Sequence, residues 1–296
     1  MYEYIKAVGN SGYIESPSRV GVIKTAEGEA VIIDSGNSKG AGVKVLRALE
    51  TEGLVPRAIL ITHAHADHIG GNKVICDRTG CLAYAVGTEY AVTRDPMMNP
   101  TLLYGAYPMA ELRHKFLLAD KSPVQLLTES VLPEGMEILP LPGHTYDMVG
   151  FRTADGAVYL GDALASRETI DKYKLVLATD VGRYLDTFRQ IEKMDGEIFI
   201  PSHVPPCKNI ASLARYNIDS VFAVAETLCE LCRIPKTAEE VTAAAFDHYD
   251  IPPTFEQLVL VGTTVKAYLS WLHDEGRVTP YIDGAFVKWK TENLQI

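Results

Sequence analysis

The amino-acid sequence predicts an α+β protein with a separate helical section towards its C-terminal end. Runs of β-branched and aromatic residues recur in residues 1–35, and further strands are indicated at Ala58–Thr62 and Ile198–Pro201. Each of these two later strands is closely followed by a histidine. Residues 233–296 have helical spacing before a final hairpin pattern. Because a rigid sheet places the residues at its strand ends accurately, we expect a functional site at those ends.

The N-terminal elements follow from composition and turn signals. Three runs have the residue types of antiparallel strands: Tyr2–Val8, Val20–Thr25 and Ala30–Ile33. Glu27-Gly28 lies between the last two runs and predicts a turn. Apolar residues at helical spacing then predict a helix over Lys39–Gly53, with Gly53 at its C-terminal cap.

The central strands are short and apolar. The run Ala58–Thr62 is typical of a strand that is buried on both faces. Met148–Thr153 and Ala157–Leu160 flank Asp155-Gly156, a dipeptide that favours a tight hairpin. Ile198–Pro201 predicts one more strand, so the chain alternates between strand-rich and helical sections.

An apolar insertion interrupts this pattern at residues 88–130. Prolines break it repeatedly, at Pro96, Pro100, Pro108 and Pro123. Within it, Ala110–Ala119 is predicted to be helical. Long inserted segments often act as active-site lids, so the insertion is interpreted either as packed core or as a cap over a pocket.

The C-terminal section has its own helix and hairpin signals. Thr237 and Glu240 predict a capping box at the start of a helix, and Thr254–Asp274 predicts a longer helix. Val278–Ile282 and Ala285–Trp289 flank Asp283-Gly284 as a hairpin. Helices followed by a two-stranded ribbon resemble a winged-helix module. Because residues 263–273 carry Lys266 as their one basic lysine or arginine, a packing role is favoured over DNA binding.

Composition and charge narrow the classes of function. Apolar residues make up 47% and charged residues 22% of the 296 positions, as in soluble globular proteins. The net charge of −10 gives no electrostatic support for binding a phosphate backbone, so nucleic acid is not an expected partner. The five cysteines are an odd number and are interpreted as reduced thiols in a cytoplasmic protein. Neither a membrane-spanning run nor a secretory signal is evident.

The strongest chemical signal is the sequence Ile-Thr-His-Ala-His-Ala-Asp-His, which contains His63, His65, Asp67 and His68. In an extended segment, residues two apart project to the same side, so His63 and His65 can hold one cation. Asp67 and His68 follow where the strand turns and can face a second cation. Surface histidine runs lack an interleaved aspartate and do not follow an apolar strand, so a metal site is favoured over a surface run.

Three later residues strengthen the metal hypothesis. His144 follows a glycine in Pro-Gly-His-Thr, Asp162 ends a hairpin strand, and His203 ends the strand at Ile198–Pro201. Each residue alone is more typical of an ordinary turn or surface position. Together with the first cluster, they supply enough ligands for two metal ions. A mixture of imidazole and carboxylate ligands suits zinc, iron or manganese better than magnesium. Zinc is the most favoured of these metals.

In their order and spacing, these segments resemble the metallo-β-lactamase fold superfamily over about residues 1–232. The resemblance implies a four-layer αββα sandwich, with a winged-helix-like module at 233–296 that resembles the tail of the lactamase-beta-like subgroup. It also implies a role for each ligand. The first metal would be held by His63, His65 and His144, the second by Asp67, His68 and His203, with Asp162 bridging both. This bridging aspartate is more similar to the hydroxyacylglutathione hydrolase branch than to true β-lactamases.

The expected function is therefore that of a dinuclear metal-dependent hydrolase. Two cations sharing a water lower its pKa, and the resulting bridging hydroxide would attack an ester, thioester or lactone of a small molecule. Asp67 is expected to orient this nucleophile besides binding metal, the simpler interpretation being a ligand alone. Asp34 matches an aspartate near the end of an early strand in the family. It would orient a ligand histidine or, alternatively, cap the turn before Ser35-Gly36.

Substrate contacts are predicted only by position. Tyr104, Tyr107, Arg113 and His114 lie in the insertion, and Tyr146 lies beside His144. For each of them, packing or an exposed surface position is the competing interpretation. A small-molecule substrate is the expected partner, a membrane is not, and a homodimer is left open.

Several alternatives remain at this point. The first is a phosphodiesterase or ribonuclease that grips nucleic acid with its tail, against which the charge of −10 counts. The second is an amide hydrolase of the β-lactamase type. The third is an iron-pair redox protein, a branch in which glutamate replaces an early histidine, whereas this chain has His65. The fourth is a DNA-binding regulator that acts through its tail.

Overall fold

The computed structural model describes residues 2–292, which group by their contacts into two compact units. Of the described residues, the first unit contains 2–142, 146–164 and 194–210, and the second contains 143–145, 165–193 and 211–292. Residues 1 and 293–296, which belong to the predicted domains 1–232 and 233–296, lie outside the described residues. That division into domains stays a prediction.

A seven-stranded sheet forms one layer of the first unit. Its strands, in spatial and chain order, are β1 (Glu3–Val8), β2 (Ser11–Glu15), β3 (Val20–Ala26), β4 (Glu29–Ile33), β5 (Val55–Leu60), β6 (Leu82–Ala85) and β7 (Val124–Leu126). Pairing is antiparallel from β1 to β4 and parallel from β4 to β7. The four strands predicted in this region are confirmed. The sequence analysis missed β2, whose serine and glycine weaken its strand signal.

A four-stranded sheet forms the second layer. It consists of β8 (Glu137–Pro140), β9 (Val149–Arg152), β10 (Ala157–Gly161) and β11 (Ile198–Pro201), in the spatial order β11-β10-β9-β8. The hairpin predicted at Asp155-Gly156 is confirmed, since β9 and β10 pair antiparallel. Gly156 has a φ of 85°, which a glycine adopts without the penalty that other residues incur. In contrast, β10 and β11 run parallel, so their carboxyl ends share one edge.

Alternation along the strands separates two cores in the first unit. Val31 and Ile33 of β4 pack with Phe151 and Tyr159 of the four-stranded sheet. Ala30 and Ile32 lie on the opposite face, in the core that also contains side chains of the helices beside the larger sheet. Residues 58–60 alternate in the same way, so the prediction of a strand buried on both faces is confirmed. The first unit thus has three layers, and the fourth layer of the expected sandwich stays a prediction.

The helices of the first unit are short apart from the first. They are α1 (Lys39–Thr51), α2 (Ala66–Ile69), α3 (Asn72–Thr79), α4 (Gly87–Arg94) and α5 (Met98–Tyr104), with 3₁₀ turns at Ala110–Leu112 and Glu129–Val131. The predicted helix over Lys39–Gly53 is confirmed. The Ser38 side chain caps its N-terminus, and Gly53 follows its end with a φ of 67°.

The helix predicted over Ala110–Ala119 is wrong beyond its first turn. Only Ala110–Leu112 is helical, as a 3₁₀ turn. Next, the amides of Leu117 and Leu118 both donate to the His114 carbonyl, and the Leu117 carbonyl accepts from Asn99 Nδ2. These bonds close an isolated turn at His114, and Asn99 of α5 ties that turn to its neighbour, so tertiary contacts accompany a segment in which local helix propensity does not prevail.

The second unit is mainly helical. It contains α6 (Arg167–Tyr173), α7 (Val181–Glu192), α8 (Ala211–Leu231), α9 (Ala238–Tyr249) and α10 (Phe255–Asp274), followed by β12 (Val278–Asp283) and β13 (Phe286–Thr291). The capping box predicted at Thr237 and Glu240 is confirmed by both of its hydrogen bonds. The predicted final hairpin is confirmed as an antiparallel pair. Among the described residues, no helix combines the length and apolar character needed to cross a bilayer.

Candidate metal centre

Most of the histidine and aspartate side chains predicted to bind a metal or orient a ligand follow the ends of strands in the first unit, as the sequence analysis expected. Asp34 follows β4, and the segment with His63 follows its parallel neighbour β5. Asp162 follows β10, and His203 comes shortly after its parallel neighbour β11. Because the carboxyl ends of parallel neighbours lie at one sheet edge, each pair of residues starts from neighbouring backbone positions.

Four of the predicted ligands converge within the first unit. The ligand atoms of Asp67, His68, Asp162 and His203 all lie within 4.8 Å of one another. The His68 Nε2 atom is 3.4 Å from Asp67 Oδ2 and 3.3 Å from Asp162 Oδ1. The His203 Nε2 atom is 3.1 Å from Asp67 Oδ2 and 3.4 Å from Asp162 Oδ2. Two imidazoles therefore face two carboxylates, a donor set that binds a divalent cation.

Asp34 holds the imidazole of His68 from behind. Its Oδ2 atom lies 2.8 Å from His68 Nδ1 and accepts a 2.8 Å hydrogen bond from Thr62 Oγ1, while Oδ1 accepts from the Thr62 amide at 2.8 Å. Asp34 is buried and has a φ of 61°, which aspartate tolerates better than most residues. These contacts favour the orienting role over the turn-capping alternative, although that role stays a prediction.

His203 is oriented by a backbone carbonyl. Its Nδ1 atom lies 2.8 Å from the Pro17 carbonyl oxygen, which can only accept, so Nδ1 donates. The ring therefore directs Nε2 towards the carboxylate of Asp67. For a metal-binding histidine, such a contact fixes both the tautomer and the ring direction.

His63 and His65 lie beside this group. Their ring centroids are 4.7 Å apart, with the rings edge to face. His63 is fully buried, its Nδ1 is 3.1 Å from Thr62 Oγ1, and its Nε2 is 3.9 Å from Asp162 Oδ2. The two rings are thus neighbours, as their spacing in the sequence predicts, and their assignment to a first metal stays a prediction.

His144 belongs to the segment Gly143–Thr145, which groups with the second unit. Its Nδ1 donates to the Leu177 carbonyl at 3.0 Å, so the neutral imidazole carries its lone pair on Nε2. The preceding Gly143 has a φ of 127°, and a Cβ there would lie 2.4 Å from the Tyr184 backbone. Only glycine therefore fits this turn. The role of His144 as a metal ligand stays a prediction.

The charged side chains of this group shift one another's pKa values. The carboxylate of Asp162 raises the pKa of His203 to about 10, although burial opposes this. Burial alone would lower the pKa of His68, but Asp162 and Asp67 raise it well above its usual value. Burial would also raise the pKa of both aspartates, yet the charge of His68 holds each well below its usual range. Protons on the two imidazoles would balance the two carboxylates, and a bound dication would take over that role.

Of the predicted substrate contacts, the three tyrosines and the arginine lie at exposed positions, whereas His114 is half-buried. Tyr104 and Tyr107 are exposed on the insertion, and Arg113 donates to the Tyr107 hydroxyl at 3.0 Å, with its guanidinium over that ring. His114 contributes its carbonyl and Nδ1 to local turns. Tyr146 is about half exposed. Their role in binding a substrate stays a prediction.

Sequence reasoning missed a buried acid beside the histidine turn. Glu89 of α4 accepts from the amide of Ala64 at 2.8 Å, between His63 and His65, and from the amide of Asp147 at 3.3 Å. Asp147 in turn accepts from the amide of Thr88 at 2.8 Å. The sequence offers no sign of these contacts, because a glutamate is normally exposed.

The fold and this arrangement place the chain in a known class. The sequence profile of the Metallo-beta-lactamase superfamily matches residues 13–203, which is well over half of the 296-residue chain. The chain therefore belongs to the Metallo-beta-lactamase superfamily. Members of this superfamily bind divalent metals, and the two curated relatives described next are named as hydrolases.

Two curated relatives differ in how much of the chain they match. The probable metallo-hydrolase YqjP of Bacillus subtilis is 24% identical over 311 aligned positions, covering 94% of this chain and 96% of that protein. A hydroxyacylglutathione hydrolase of Xanthomonas axonopodis pv. citri is 30% identical over 141 residues, covering 48% of this chain and 44% of that protein. The chain thus spans less than half the length of this second relative.

Solved structures agree on the fold. A metallo-beta-lactamase family protein from Thermus thermophilus superposes with a TM-score of 0.70 at 20% identity, covering 93% of this chain and 94% of that one. A beta-lactamase domain protein from Burkholderia ambifaria superposes with a TM-score of 0.69 at 17% identity, covering 98% and 93%. At these identities the likeness shows the mixed α/β metallo-β-lactamase fold.

Proposed function

We propose that the chain is a dinuclear metal-dependent hydrolase that cleaves an ester, thioester or lactone of a small molecule. The observation that carries the proposal is the convergence of two imidazoles and two carboxylates, from Asp67, His68, Asp162 and His203, at the strand ends of the first unit. The name of the Xanthomonas relative favours a thioester among the three bond types.

The ligand assignment is part of the same proposal. His63, His65 and His144 would hold the first cation, and Asp67, His68 and His203 the second, with Asp162 bridging. It is supported by the tautomer of His144 and by the hydrogen bonds that direct the Nε2 atoms of His68 and His203 towards carboxylates. Zinc is the proposed metal, since it prefers this mixture of imidazole and carboxylate, and iron and manganese remain alternatives.

Different residues of the chain are proposed to have different roles in hydrolysis. When bound, two divalent cations lower the pKa of a water that they share and polarise the bond to be cleaved. Asp67 has 39% of its side chain exposed, whereas Asp162 has 15%, so Asp67 is the carboxylate more accessible to water. We assign Asp67 the orientation of the attacking water, with its carboxylate accepting a hydrogen bond from that water. Asp34 and Pro17 keep the two histidines aligned.

The C-terminal elements are proposed to form a winged-helix-like packing module. Support comes from α9 and α10 followed by the β12–β13 hairpin. Lys266 of α10 lies 3.7 Å from Glu239, so an acidic partner offsets its charge. That pairing and the net charge of −10 favour packing, with homodimerisation as one form of it, over binding to nucleic acid. A cytoplasmic location is proposed from the five unpaired cysteines.

The proposed function is tested by metal content together with a substrate panel. Elemental analysis of the purified protein is expected to give about two metal ions per chain, the count of a two-metal site. The panel contains S-acyl glutathione thioesters, aryl esters, lactones, β-lactams and bis-p-nitrophenyl phosphate, assayed before and after chelation and after addition of Zn²⁺. We expect hydrolysis of a thioester, ester or lactone that chelation abolishes and Zn²⁺ restores.

Other outcomes separate the alternatives. Turnover of only the phosphodiester would favour a nuclease-type activity, and turnover of only β-lactams would favour an amide hydrolase. A protein that binds no metal after reconstitution, with every substrate untouched, would overturn the proposal.

A further inference from the structure

The loop Ser16–Arg19, which joins β2 to β3, lies against the chain segment that carries His203. The Arg19 amide donates to the Ser202 carbonyl at 3.0 Å, and the Pro17 carbonyl accepts from His203 Nδ1 at 2.8 Å. This loop therefore contacts both the backbone beside His203 and its side chain, although the two segments are more than 180 positions apart in the sequence.

The Arg19 guanidinium binds the backbone on both sides of His203. Its Nη1 donates to the Val204 carbonyl at 2.8 Å and to the Ser202 carbonyl at 3.4 Å. Its Nε and Nη2 atoms donate to the two carboxylate oxygens of Glu15, at 3.0 and 2.7 Å. A guanidinium has five donors in one rigid plane, so it can make both sets of contacts at once, which a lysine ammonium cannot. Only 11% of the Arg19 side chain is exposed, so little solvent competes for these donors.

The loop itself is held in one conformation. Ser16 Oγ donates to the Ser18 carbonyl at 2.6 Å, and the flanking strands pair in register at Ile14 and Val20. The Arg19 guanidinium also lies over the Tyr13 ring, 5.9 Å from its centroid. The Pro17 carbonyl consequently has a fixed direction when it accepts from His203.

His203 depends on such support more than His68, the other imidazole of its group. Its side chain is 37% exposed, whereas that of His68 is fully buried. Packing therefore does little to fix the His203 ring, and hydrogen bonds must do so. Removing a group that orients a metal-binding histidine typically lowers metal affinity 10- to 100-fold.

We propose that Arg19 is a positioning residue for His203. Together with Glu15, it sets the affinity of the metal position formed by Asp67, His68 and His203. Arg19 fixes the carbonyls of Ser202 and Val204, which keeps Nδ1 of His203 on the Pro17 carbonyl and Nε2 facing Asp67. The inference rests on the proposed metal centre and adds a residue that never touches the metal or the substrate.

The test compares R19A with R152A by metal titration. Arg152 is a matched control because it also joins a carboxylate to a carbonyl, contacting Glu137 at 3.5 Å and the Asp195 carbonyl at 3.2 Å. Zn²⁺ affinities are measured by chelator competition, and absorption spectra are recorded with Co²⁺ as the probe. In R19A, we expect one metal equivalent to bind about 10- to 100-fold more weakly, with an altered Co²⁺ spectrum, while the other keeps its affinity. R152A should bind both equivalents as the wild type does.

The metal-free melting temperature separates positioning from a general loss of stability. Both variants should melt at similar temperatures without metal, and R19K should recover part of the lost affinity. If R19A does not fold, R19K and R152K give the same comparison. Two results would overturn this inference while leaving the proposed function intact. The first is a wild-type metal affinity and Co²⁺ spectrum in R19A, and the second is an equal weakening of both metal equivalents in R19A and R152A. A wild-type protein that binds no metal would overturn the proposed function as well.

Discussion

His68 and His203 present the same atom, Nε2, to the same two carboxylates, but the chain holds them in different ways. His68 is fully buried, and the buried carboxylate of Asp34 holds it from behind, at the end of the seven-stranded sheet. His203 is 37% exposed, and a carbonyl from a distant loop holds it. The comparison teaches that one cluster of ligands can have a rigid side, fixed by the core, and a side that depends on surface hydrogen bonds.

Different substitutions should therefore weaken metal binding on the His68 side and on the His203 side. Changes in the core should displace His68, and changes in the loop should displace His203. A ligand shared by both sides should remove the whole centre.

Removing the shared carboxylate has the largest expected effect. In D162A, both imidazoles lose a partner within 3.4 Å, and the proposed bridge between the metals is absent. We expect hydrolysis to fall by more than about 100-fold, beyond the range seen when only an orienting group is lost, and metal content to drop below two per chain. Elemental analysis and initial rates measure this. D186A, which alters an exposed aspartate paired with Arg189, is the control and should keep both.

A D162A protein with full metal content and full activity would contradict the shared role. In that case, Asp162 would not be a ligand shared by the His68 side and the His203 side.

Substituting Asp34 tests the buried side alone. Asparagine tolerates the positive φ of this position but offers one acceptor oxygen, so its amide group must face either the Thr62 amide or His68 Nδ1. One buried donor then loses its acceptor, at a cost of about 1–3 kcal/mol. We expect D34N to bind one Zn²⁺ equivalent about 10- to 100-fold more weakly in chelator competition and to melt at a lower temperature.

The control for D34N is D77N, at an exposed aspartate paired with Lys73. It should match the wild type in both measurements. Unchanged zinc affinity in D34N would mean that packing alone orients His68, and the turn-capping interpretation of Asp34 would then be preferred.

The release of protons when Zn²⁺ binds is the smallest of the expected effects, and it depends on His203, the exposed histidine. Asp162 raises the pKa of His203 to about 10, so in the metal-free protein its imidazole carries a proton at pH 8. A metal ligand must be neutral, so binding displaces that proton, and the raised pKa of His68 adds to the release. The sign is therefore fixed: zinc affinity should rise as the pH increases, until the pH passes the pKa of His203 in the metal-free protein.

Calorimetry in buffers of different ionisation enthalpy measures the protons released on binding Zn²⁺. We expect about one to two protons per chain at pH 8 for the wild type and about one fewer for H203A. The same proton count in both proteins would show that His203 is neutral before the metal binds. The charge balance described for the metal-free centre would then be wrong on this side.

Local patterns in the sequence determined much of the fold and most of the proposed ligand set. Residue composition predicted β4, a short apolar run predicted β5, Asp155-Gly156 predicted a hairpin, and Thr237 with Glu240 predicted a capping box, all of which are confirmed. These signals succeed because the interactions behind them lie within a few residues along the chain. His68 and Asp67 were recognised for the same reason, since their spacing after a buried strand is a local property.

Apart from Asp34, only the tertiary structure decided the groups that support these ligands. Glu89, Arg19 and Pro17 act on residues that lie far away in the sequence, and no periodicity or turn signal marks them. The predicted helix at Ala110–Ala119 is wrong beyond its first turn, and the contact from Asn99 of α5 to the Leu117 carbonyl is likewise one that no local pattern indicates. The sequence by itself thus determined which side chains can bind metal. Their orientation depends on hydrogen bonds between distant segments, which exist only once the chain has folded.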